Sequence, residues 1–183
     1  MSLLQFSYNN CLNDKNMNQY KGLIDKIDKN SFINEKVSNF PFLNEVDNNI
    51  DDIIRLSEKF SKKFNNFCLL GTGGSSLGAQ ALIGLIPEPR NKNFNFFCDI
   101  DPIFFQKSMN SLKLNKTGFI VVSKSGSTPE TMAQFGSLIQ IFEDLNLMHL
   151  VSENFVIITE NKQSPLSNIA KQLNIRIINF NKQ

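Results

Sequence analysis

Two segments rich in glycine and hydroxyl side chains hold the residues best suited to bind an anion. The first covers residues 71–78, GTGGSSLG, and the second covers residues 123–131, SKSGSTPET. Glycine lets a backbone approach a ligand closely, Ser and Thr hydroxyls donate hydrogen bonds, and a helix N-terminus offers unpaired N–H groups with a partial positive charge. This combination suits a phosphate group.

Each segment stands where a strand is predicted to lead into a helix. The runs 67–70 and 119–122 are apolar and β-prone, and a helical pattern follows each segment. From residue 66 onward such runs alternate with helical stretches, which predicts an α/β fold with a doubly wound, five-stranded parallel sheet flanked by helices. The predicted strands are 66–70, 94–98, 118–122, 154–159 and 175–180, and the predicted helices are 76–86, 102–113, 129–147 and 165–173.

The order of the strands decides whether the two loops can face one ligand. Right-handed crossovers place the first and third strands side by side, at the point where the strand order reverses. Both Gly/Ser loops follow those two strands. We therefore expect the loops to converge at the carboxyl edge of the sheet, where ligands bind in this architecture.

Helix start signals support this reading. The dipeptides Asp-Pro at 101–102 and Ser-Pro at 164–165 each place a capping side chain before a proline suited to the first helical turn. Ser127 and Glu130 have the spacing of a capping box, in which Glu130 would stabilise the start of the next helix.

The first third of the chain has a different pattern. Apolar residues recur at helical spacing around 20–27 and 50–64, and the segment 39–42 separates the two stretches. This predicts two amphipathic helices. We divide the chain into an N-terminal helical extension, residues 1–65, and a ligand-binding domain, residues 66–183.

Composition excludes several classes of function. The chain has 183 residues, 19 basic and 17 acidic residues, and a net charge of +2. No basic run indicates nucleic-acid or anionic-membrane binding, and no apolar stretch has transmembrane length. The three cysteines lack C-x-x-C spacing, which suits buried thiols in a reducing cytoplasm. One histidine and scattered Cys and Asp lack metal-ligand spacing, so we expect no metal. The N-terminus lacks a basic n-region and an unbroken apolar h-region, so we expect no export signal.

The two motifs resemble those of the sugar isomerase (SIS) domain family and, more narrowly, the N-terminal half of the phosphoglucose isomerase family. GTGGSSLG and VVSKSGSTPET carry the resemblance, with Ile-Asp-Pro at 100–102 and Ser-Pro-Leu at 164–166. The resemblance implies a flavodoxin-like SIS fold. It also implies aldose–ketose isomerisation of glucose 6-phosphate and fructose 6-phosphate in glycolysis and gluconeogenesis, without a cofactor, by a homodimer.

The resemblance also implies roles for individual residues. The hydroxyls of Ser123, Ser125 and Thr128 would hold the sugar phosphate. The backbone N–H groups that would help them belong to Lys124, Ser125, Gly126 and Ser127. Ser75 would add a contact from the first loop, while Gly73 and Gly74 let that backbone lie close to the sugar. Glu130 would orient a catalytic histidine supplied elsewhere.

Other interpretations of the same residues remain open. The Ser and Thr residues of both loops could act only as helix caps. A dinucleotide site would use Gly71, Gly73 and Asp99, but Ser76 occupies the third fingerprint position and favours a phosphosugar. No G-K-[ST] follows the glycines, which excludes a P-loop. His149 lies in neither motif and is expected to be structural.

Isomerisation needs a base and groups that stabilise the enediolate and open the ring. In the family that the chain resembles, these groups are a Glu, an Arg, and a His with a Lys, all from segments after the phosphate loops. The sequence ends at residues 179–183, where a family member would continue toward a Gly-Gly-Arg segment. We therefore expect a fragment of a longer isomerase that alone binds phosphosugar weakly and turns over nothing. A non-catalytic phosphosugar sensor and a single-domain phosphosugar isomerase are the alternatives.

Overall fold

The computed structural model describes residues 50–86 and 91–180, which contain a five-stranded parallel sheet. The strands are β1 (Asn66–Leu70), β2 (Asn93–Phe97), β3 (Thr117–Val122), β4 (Phe155–Glu160) and β5 (Arg176–Phe180). The helices are α1 (Ile50–Lys63), α2 (Gly74–Gly84), α3 (Pro102–Ser111), α4 (Pro129–Asp144), α5 (Val151–Asn154) and α6 (Pro165–Gln172), with 3₁₀ turns at Leu114–Lys116 and Met148–Leu150. The strand order is β2-β1-β3-β4-β5, which confirms the predicted α/β fold and places β1 beside β3.

Alternating side chains of the strands pack into two apolar layers, one on each face of the sheet. One layer includes Phe119 and Ile157 together with Phe135 of α4 and Leu166 of α6. The other layer is smaller and is built from Phe60, Phe64, Phe67 and Val156. The three inner strands β1, β3 and β4 are mainly apolar, as is usual for parallel strands covered on both faces, whereas the edge strands β2 and β5 also carry Asn and Arg.

The smaller layer joins α1 to the sheet. Phe60 and Phe64 are buried, and their rings meet edge-on with centroids 5.0 Å apart. A Cβ atom on Gly118 of β3 would lie 2.8 Å from the Phe60 ring and 3.0 Å from the Phe64 ring. The absence of a side chain at Gly118 therefore lets the two rings approach the strand. The predicted division at residue 65 stays a prediction, and the predicted helix around residues 20–27 lies outside the described residues.

Proline and capping side chains set the helix starts at two of the three predicted positions. Asp101 Oδ1 accepts hydrogen bonds from the backbone N–H groups of Ile103 and Phe104, at 2.8 and 3.1 Å. Ser164 and Ser167 form a reciprocal capping box at the start of α6. The capping box predicted for Ser127 and Glu130 is wrong, because the helix starts one residue later than that box requires.

The start of α4 is set by Pro129. The N-cap residue is Thr128, one residue later than the capping box requires, and its side chain makes no capping hydrogen bond. Glu130 therefore stands at the second helical position, where a carboxylate still interacts favourably with the partial positive charge of the helix start. The hydroxyl of Thr128 remains available for other contacts.

Asparagines end two helices earlier than predicted. Asn146 and Asn174 have φ values of 57° and 54°, in the left-handed region that asparagine tolerates better than most residues. After each, the next N–H donates to a carbonyl five residues back, Leu147 to Phe142 at 2.7 Å and Ile175 to Ala170 at 2.8 Å. These bonds are typical of the Schellman motif, which explains why α4 ends at Asp144 and not at residue 147. Within the described ranges, no helix is long and apolar enough to cross a membrane.

Candidate phosphate-binding site

The two Gly/Ser loops leave neighbouring strands and meet in one cavity. Leu70 of β1 pairs with Val121 of β3, so the two loops begin side by side. The cavity has a volume of about 340 Å³. The residues that line it are Thr72, Ser75, Lys124, Ser125, Thr128, Glu160 and Lys162. Hydroxyls from both loops therefore line the same small, open space.

Hydrogen bonds among its own side chains order the second loop. Ser123 Oγ accepts from the Gly126 N–H at 3.1 Å and lies 2.9 Å from Thr128 Oγ1. Ser125 Oγ accepts from the N–H of Ser127 at 3.2 Å and lies 3.4 Å from Thr128 Oγ1. Ser123 is buried beneath the loop, whereas Ser125 and Thr128 line the cavity. The loop is thus shaped before any ligand arrives.

Gly126 is required at the turn of this loop. Its φ is 66°, and a Cβ atom there would lie 2.1 Å from Ser164 Oγ and 2.6 Å from Ser164 Cβ. The backbones of the two segments are also hydrogen-bonded, since the Leu166 N–H donates to the Gly126 carbonyl at 3.0 Å. The start of α6 therefore packs directly against the second loop, and only glycine fits between them.

The first loop turns into α2 at Gly73. Gly73 has a φ of 53° and is the N-cap residue of α2, which begins at Gly74. A Cβ atom on either glycine would meet no heavy atom within 4 Å, and both residues are exposed. Ser75 lies beside them in the cavity wall, and the buried Ser76 donates its hydroxyl proton back to the Gly73 carbonyl at 3.2 Å. The glycines thus leave the backbone open to solvent next to Ser75.

The sequence analysis missed two charged residues of the cavity, Glu160 and Lys162. Glu160 is the last residue of β4 and is 4% exposed. Its Oε2 atom lies 2.7 Å from Lys162 Nζ, and its Oε1 atom lies 4.0 Å from Lys124 Nζ. The signal that could have found them is topological, because β4 neighbours β3 and its carboxyl end opens onto the same edge.

Three other residues considered from the sequence lie away from the cavity wall. Glu130 is half-buried in the first turn of α4 and is not among the lining residues. His149 is exposed in the 3₁₀ turn beyond the far end of α4, a helix about 24 Å long. Asp99 accepts the N–H of Asp101 at 3.1 Å in the turn that leads into α3.

A larger cavity lies elsewhere in the described part of the chain. Its volume is about 810 Å³, it lies between α3 and α4, and its walls include Phe105, Met109 and Ile141. No residue of either Gly/Ser loop lines it. Its lining is mainly apolar and carries no charged side chain, so it lacks the chemistry of an anion site. Among residues 50–86 and 91–180, no three His, Cys, Asp or Glu side chains cluster as a metal site.

A flavodoxin-like parallel sheet with paired Gly/Ser loops at the β1 and β3 carboxyl ends is the sugar isomerase class of α/β domain. Within that class, the sequence model of the phosphoglucose isomerase family matches residues 43–175, more than half of the chain. The chain belongs to the phosphoglucose isomerase family.

Individual relatives agree with this assignment. The chain is 36% identical to a glucose-6-phosphate isomerase of Borrelia garinii over 111 residues, covering 57% of the chain and 21% of that protein. It is 30% identical to a probable glucose-6-phosphate isomerase of Methanococcus maripaludis over 166 residues, covering 81% of the chain and 38% of that protein. The chain therefore spans well under half of these relatives.

The fold comparison gives the same result. A crystal structure of glucose-6-phosphate isomerase from Chlamydia trachomatis superimposes with a TM-score of 0.61 and 28% sequence identity. The match covers 71% of this chain and 25% of that one.

Proposed function

We propose that this chain is the phosphosugar-binding, N-terminal portion of a glucose-6-phosphate isomerase, whose ligands are glucose 6-phosphate and fructose 6-phosphate. The observation that carries the proposal is the meeting of both Gly/Ser loops in one cavity. Thr72 and Ser75 stand on one side, and Ser125 and Thr128 stand on the other. Membership of the phosphoglucose isomerase family supports the choice of ligand.

In this proposal the phosphate group binds between the two loops. Ser125 and Thr128 donate their hydroxyl protons to phosphate oxygens, and Ser75 donates from the first loop. The N-terminus of α4 adds a partial positive charge and N–H groups that have no partner within the helix. The exposed backbone at Gly73 and Gly74 gives the sugar room to lie against the first loop.

Ser123 and Gly126 act mainly on the shape of the second loop. The Ser123 hydroxyl already bonds to the Gly126 N–H and to Thr128, and Ser123 is 1% exposed. Its predicted contact with the phosphate would require a change in these bonds. The N–H groups of Lys124 and Ser125 and the side chain of Lys124 remain proposed contacts, whereas the Ser127 N–H already donates to Ser125 Oγ and would have to exchange that bond for one to the phosphate.

Calorimetric titration of the 183-residue chain with fructose 6-phosphate tests the binding proposal. Fructose without phosphate and NAD are the negative controls, since the first lacks the group that the loops bind and the second tests the dinucleotide alternative. Saturable binding of fructose 6-phosphate, lost in Ser125→Ala with Thr128→Val, is expected. Failure of the sugar phosphate to bind, or equal binding of plain fructose, would overturn the proposal.

Isomerisation itself is proposed for the full-length protein. Moving a proton between C1 and C2 requires a base and stabilisation of the enediolate, for which this chain carries no residues matching the family pattern. The chain alone is therefore expected to bind without turnover. Isomerase activity of the purified chain above a no-enzyme control would favour a single-domain isomerase instead.

The proposal has three further parts: Glu130 has an orienting role, the full-length protein is a homodimer, and it is located in the cytoplasm. Glu130 would orient a catalytic histidine from another segment, which requires its first-turn position on α4 to face that segment. Sedimentation of the chain tests the homodimer that the family resemblance implies. No metal or organic cofactor enters the proposed reaction.

A further inference from the structure

The carboxyl end of β4 adds two charged side chains, Glu160 and Lys162, to the phosphate cavity, which already contains Lys124 of the second loop. The Glu160 side chain is 5% exposed, and its two oxygens point toward two different lysines. Oε2 lies 2.7 Å from Lys162 Nζ, and Oε1 lies 4.0 Å from Lys124 Nζ. A buried carboxylate in the wall of an anion-binding cavity repels the anion, so its presence there needs an explanation.

Backbone hydrogen bonds also fix the positions of Glu160 and Lys162 at the end of β4. The Glu160 N–H donates to the Lys124 carbonyl at 3.3 Å, which ties the end of β4 to the second loop. The Lys162 N–H donates to the Glu160 carbonyl at 2.8 Å, and the Ser167 hydroxyl donates to the Lys162 carbonyl at 3.2 Å. Both peptide groups of Lys162 are therefore held, and its side chain leaves the backbone in a fixed direction.

Among the described residues that line the cavity, the charges of Glu160, Lys124 and Lys162 sum to +1, which favours an anion there. Lys162 keeps 47% of its side chain exposed, so its ammonium group can reach a ligand while it stays paired with Glu160. A lysine side chain is flexible, and holding its ammonium group in place removes part of the entropy that binding would otherwise cost. Glu160 supplies that hold, which explains a buried carboxylate at this position.

We propose that Lys162 binds the phosphate group of the ligand, and that Glu160 is a positioning residue that holds the Lys162 ammonium group toward it. The inference rests on the proposed function, because it needs a phosphate monoester between the two loops. It extends the site from the first and third strands to the fourth.

Lys162→Met tests the binding role, because methionine keeps the length of the side chain and removes the charge. Affinities of the 183-residue chain for fructose 6-phosphate and for inorganic phosphate are measured by titration at several salt concentrations. We expect both affinities to fall roughly five- to tenfold and to depend less steeply on salt, since one fewer charge meets the anion. Lys171→Met, an exposed lysine of α6 outside the cavity, is the matched control and should leave both affinities unchanged.

A double-mutant cycle tests the positioning role of Glu160. In a Glu160→Gln background the Lys162 ammonium group is no longer held, so Lys162→Met should then cost less than about twofold in affinity. Glu160→Asp serves as a second background, because it keeps the charge but shortens the reach to Lys162. An equal loss in all three backgrounds would overturn the positioning role.

The outcomes separate this inference from the proposed function. If the unmodified chain binds fructose 6-phosphate and Thr128→Val weakens that binding while Lys162→Met does not, only the inference fails. If the unmodified chain binds neither ligand, the proposed function fails and the inference fails with it. Weaker binding of fructose 6-phosphate alone, with inorganic phosphate unaffected, would place Lys162 on the sugar and would also overturn it.

Discussion

At the scale of single residues, Ser123 and Thr128 differ in what else their hydroxyls support. The Ser123 hydroxyl is buried and accepts the Gly126 N–H, whereas the Thr128 hydroxyl lines the cavity and makes no helix-capping bond. Loss of a buried partner costs stability, and loss of a bond to a charged ligand costs affinity. The two substitutions should therefore separate the shape of the loop from its contact with the ligand.

Thr128→Val is expected to weaken binding of fructose 6-phosphate and to lower stability less than Ser123→Ala does, because it removes only one of the two hydrogen bonds of the Ser123 hydroxyl. A hydrogen bond to a charged group contributes about 1.5–3 kcal/mol, so affinity should fall on the order of 10- to 100-fold. Ser123→Ala should instead lower the free energy of unfolding by roughly 1–3 kcal/mol, since a buried hydroxyl loses two hydrogen bonds, one to Thr128 and one to the Gly126 N–H, which keeps only the Ser123 carbonyl as its acceptor. Titration and urea unfolding of both variants measure the difference. A large loss of stability in Thr128→Val would contradict the assignment.

Cys68 is predicted to make stability depend on pH in alkaline solution. Burial raises the pKa of its thiol from 9.0 to about 12, although a hydrogen bond from Asn95 opposes the shift. The folded pKa lies above the unfolded one, so the stabilisation is complete below pH 9 and is lost as pH rises toward 12. Over that window one thiol reduces the free energy of unfolding by up to about 1.4 kcal/mol per pH unit.

The measurement compares the pH dependence of unfolding in Cys68→Ala with that of the unmodified chain. Other side chains contribute to both curves alike, so the difference between the curves carries the information. The Cys68→Ala curve should be flatter above pH 9. Parallel curves for the two proteins would show that Cys68 does not contribute.

At the scale of elements, the second loop depends on how closely α6 packs against Gly126. Gly126→Ala puts a Cβ atom into Ser164 and forces a left-handed φ on alanine, which together should lower the free energy of unfolding by more than about 2 kcal/mol. Gly136→Ala is the matched control, because Gly136 lies within α4 with no heavy atom near its ideal Cβ position. That variant should be more stable by up to about 1 kcal/mol. Thermal unfolding compares them, and equal stabilities would refute the packing argument.

We expect the packing of α1 against the sheet to contribute to the free energy of unfolding of the domain. Phe64, the residue that follows α1, is 1% exposed, and it packs with Phe60 of α1 against the sheet, so Phe64→Ala should cost about 3–5 kcal/mol. Ile53 lies on the same side of the predicted boundary but is 45% exposed, and Ile53→Ala should cost far less. Urea unfolding measures both. A cost below about 1 kcal/mol for Phe64→Ala would mean that α1 contributes little, as expected of a detachable extension.

Local signals account for the elements that the sequence predicted well. Each of Pro102, Pro129 and Pro165 is the first residue of its helix, because proline fits the first turn and cannot fit the interior. Helix ends were less predictable. Asn146 and Asn174 end their helices by adopting a left-handed backbone, and no neighbouring residue in the sequence marks which asparagine will do so. The short helix α5 gave no separate pattern in the sequence.

Some residues of the site can be predicted from the local sequence, and others depend on which strands lie side by side. Both Gly/Ser loops could be read from the sequence because each combines glycine, hydroxyls and a strand-to-helix junction within a few residues. Glu160 and Lys162 could not, because no local pattern distinguishes them from surface charges. Only the neighbouring position of β4 and β3 brings them into the cavity.

At the scale of the whole molecule, the site lies where several elements end and so links ligand binding to the stability of the sheet. The cavity draws on the ends of β1, β3 and β4 and on the start of α4, and α6 supports it through Ser164 and Ser167. A ligand that bridges these ends binds the folded chain and not the unfolded one. Binding should therefore raise the melting temperature.

Fructose 6-phosphate at one hundred times its measured dissociation constant should stabilise the chain by about 2.7 kcal/mol, which for a chain of this size corresponds to roughly 5–10 °C in Tm. Fructose at the same concentration should leave Tm unchanged, because it lacks the phosphate that connects the loops. In Thr128→Val, fructose 6-phosphate at the same absolute concentration should raise Tm far less. Circular dichroism melts of both proteins make the measurement. A shift of equal size with plain fructose would mean that stabilisation comes from general solvent effects and not from a ligand bound between the two loops.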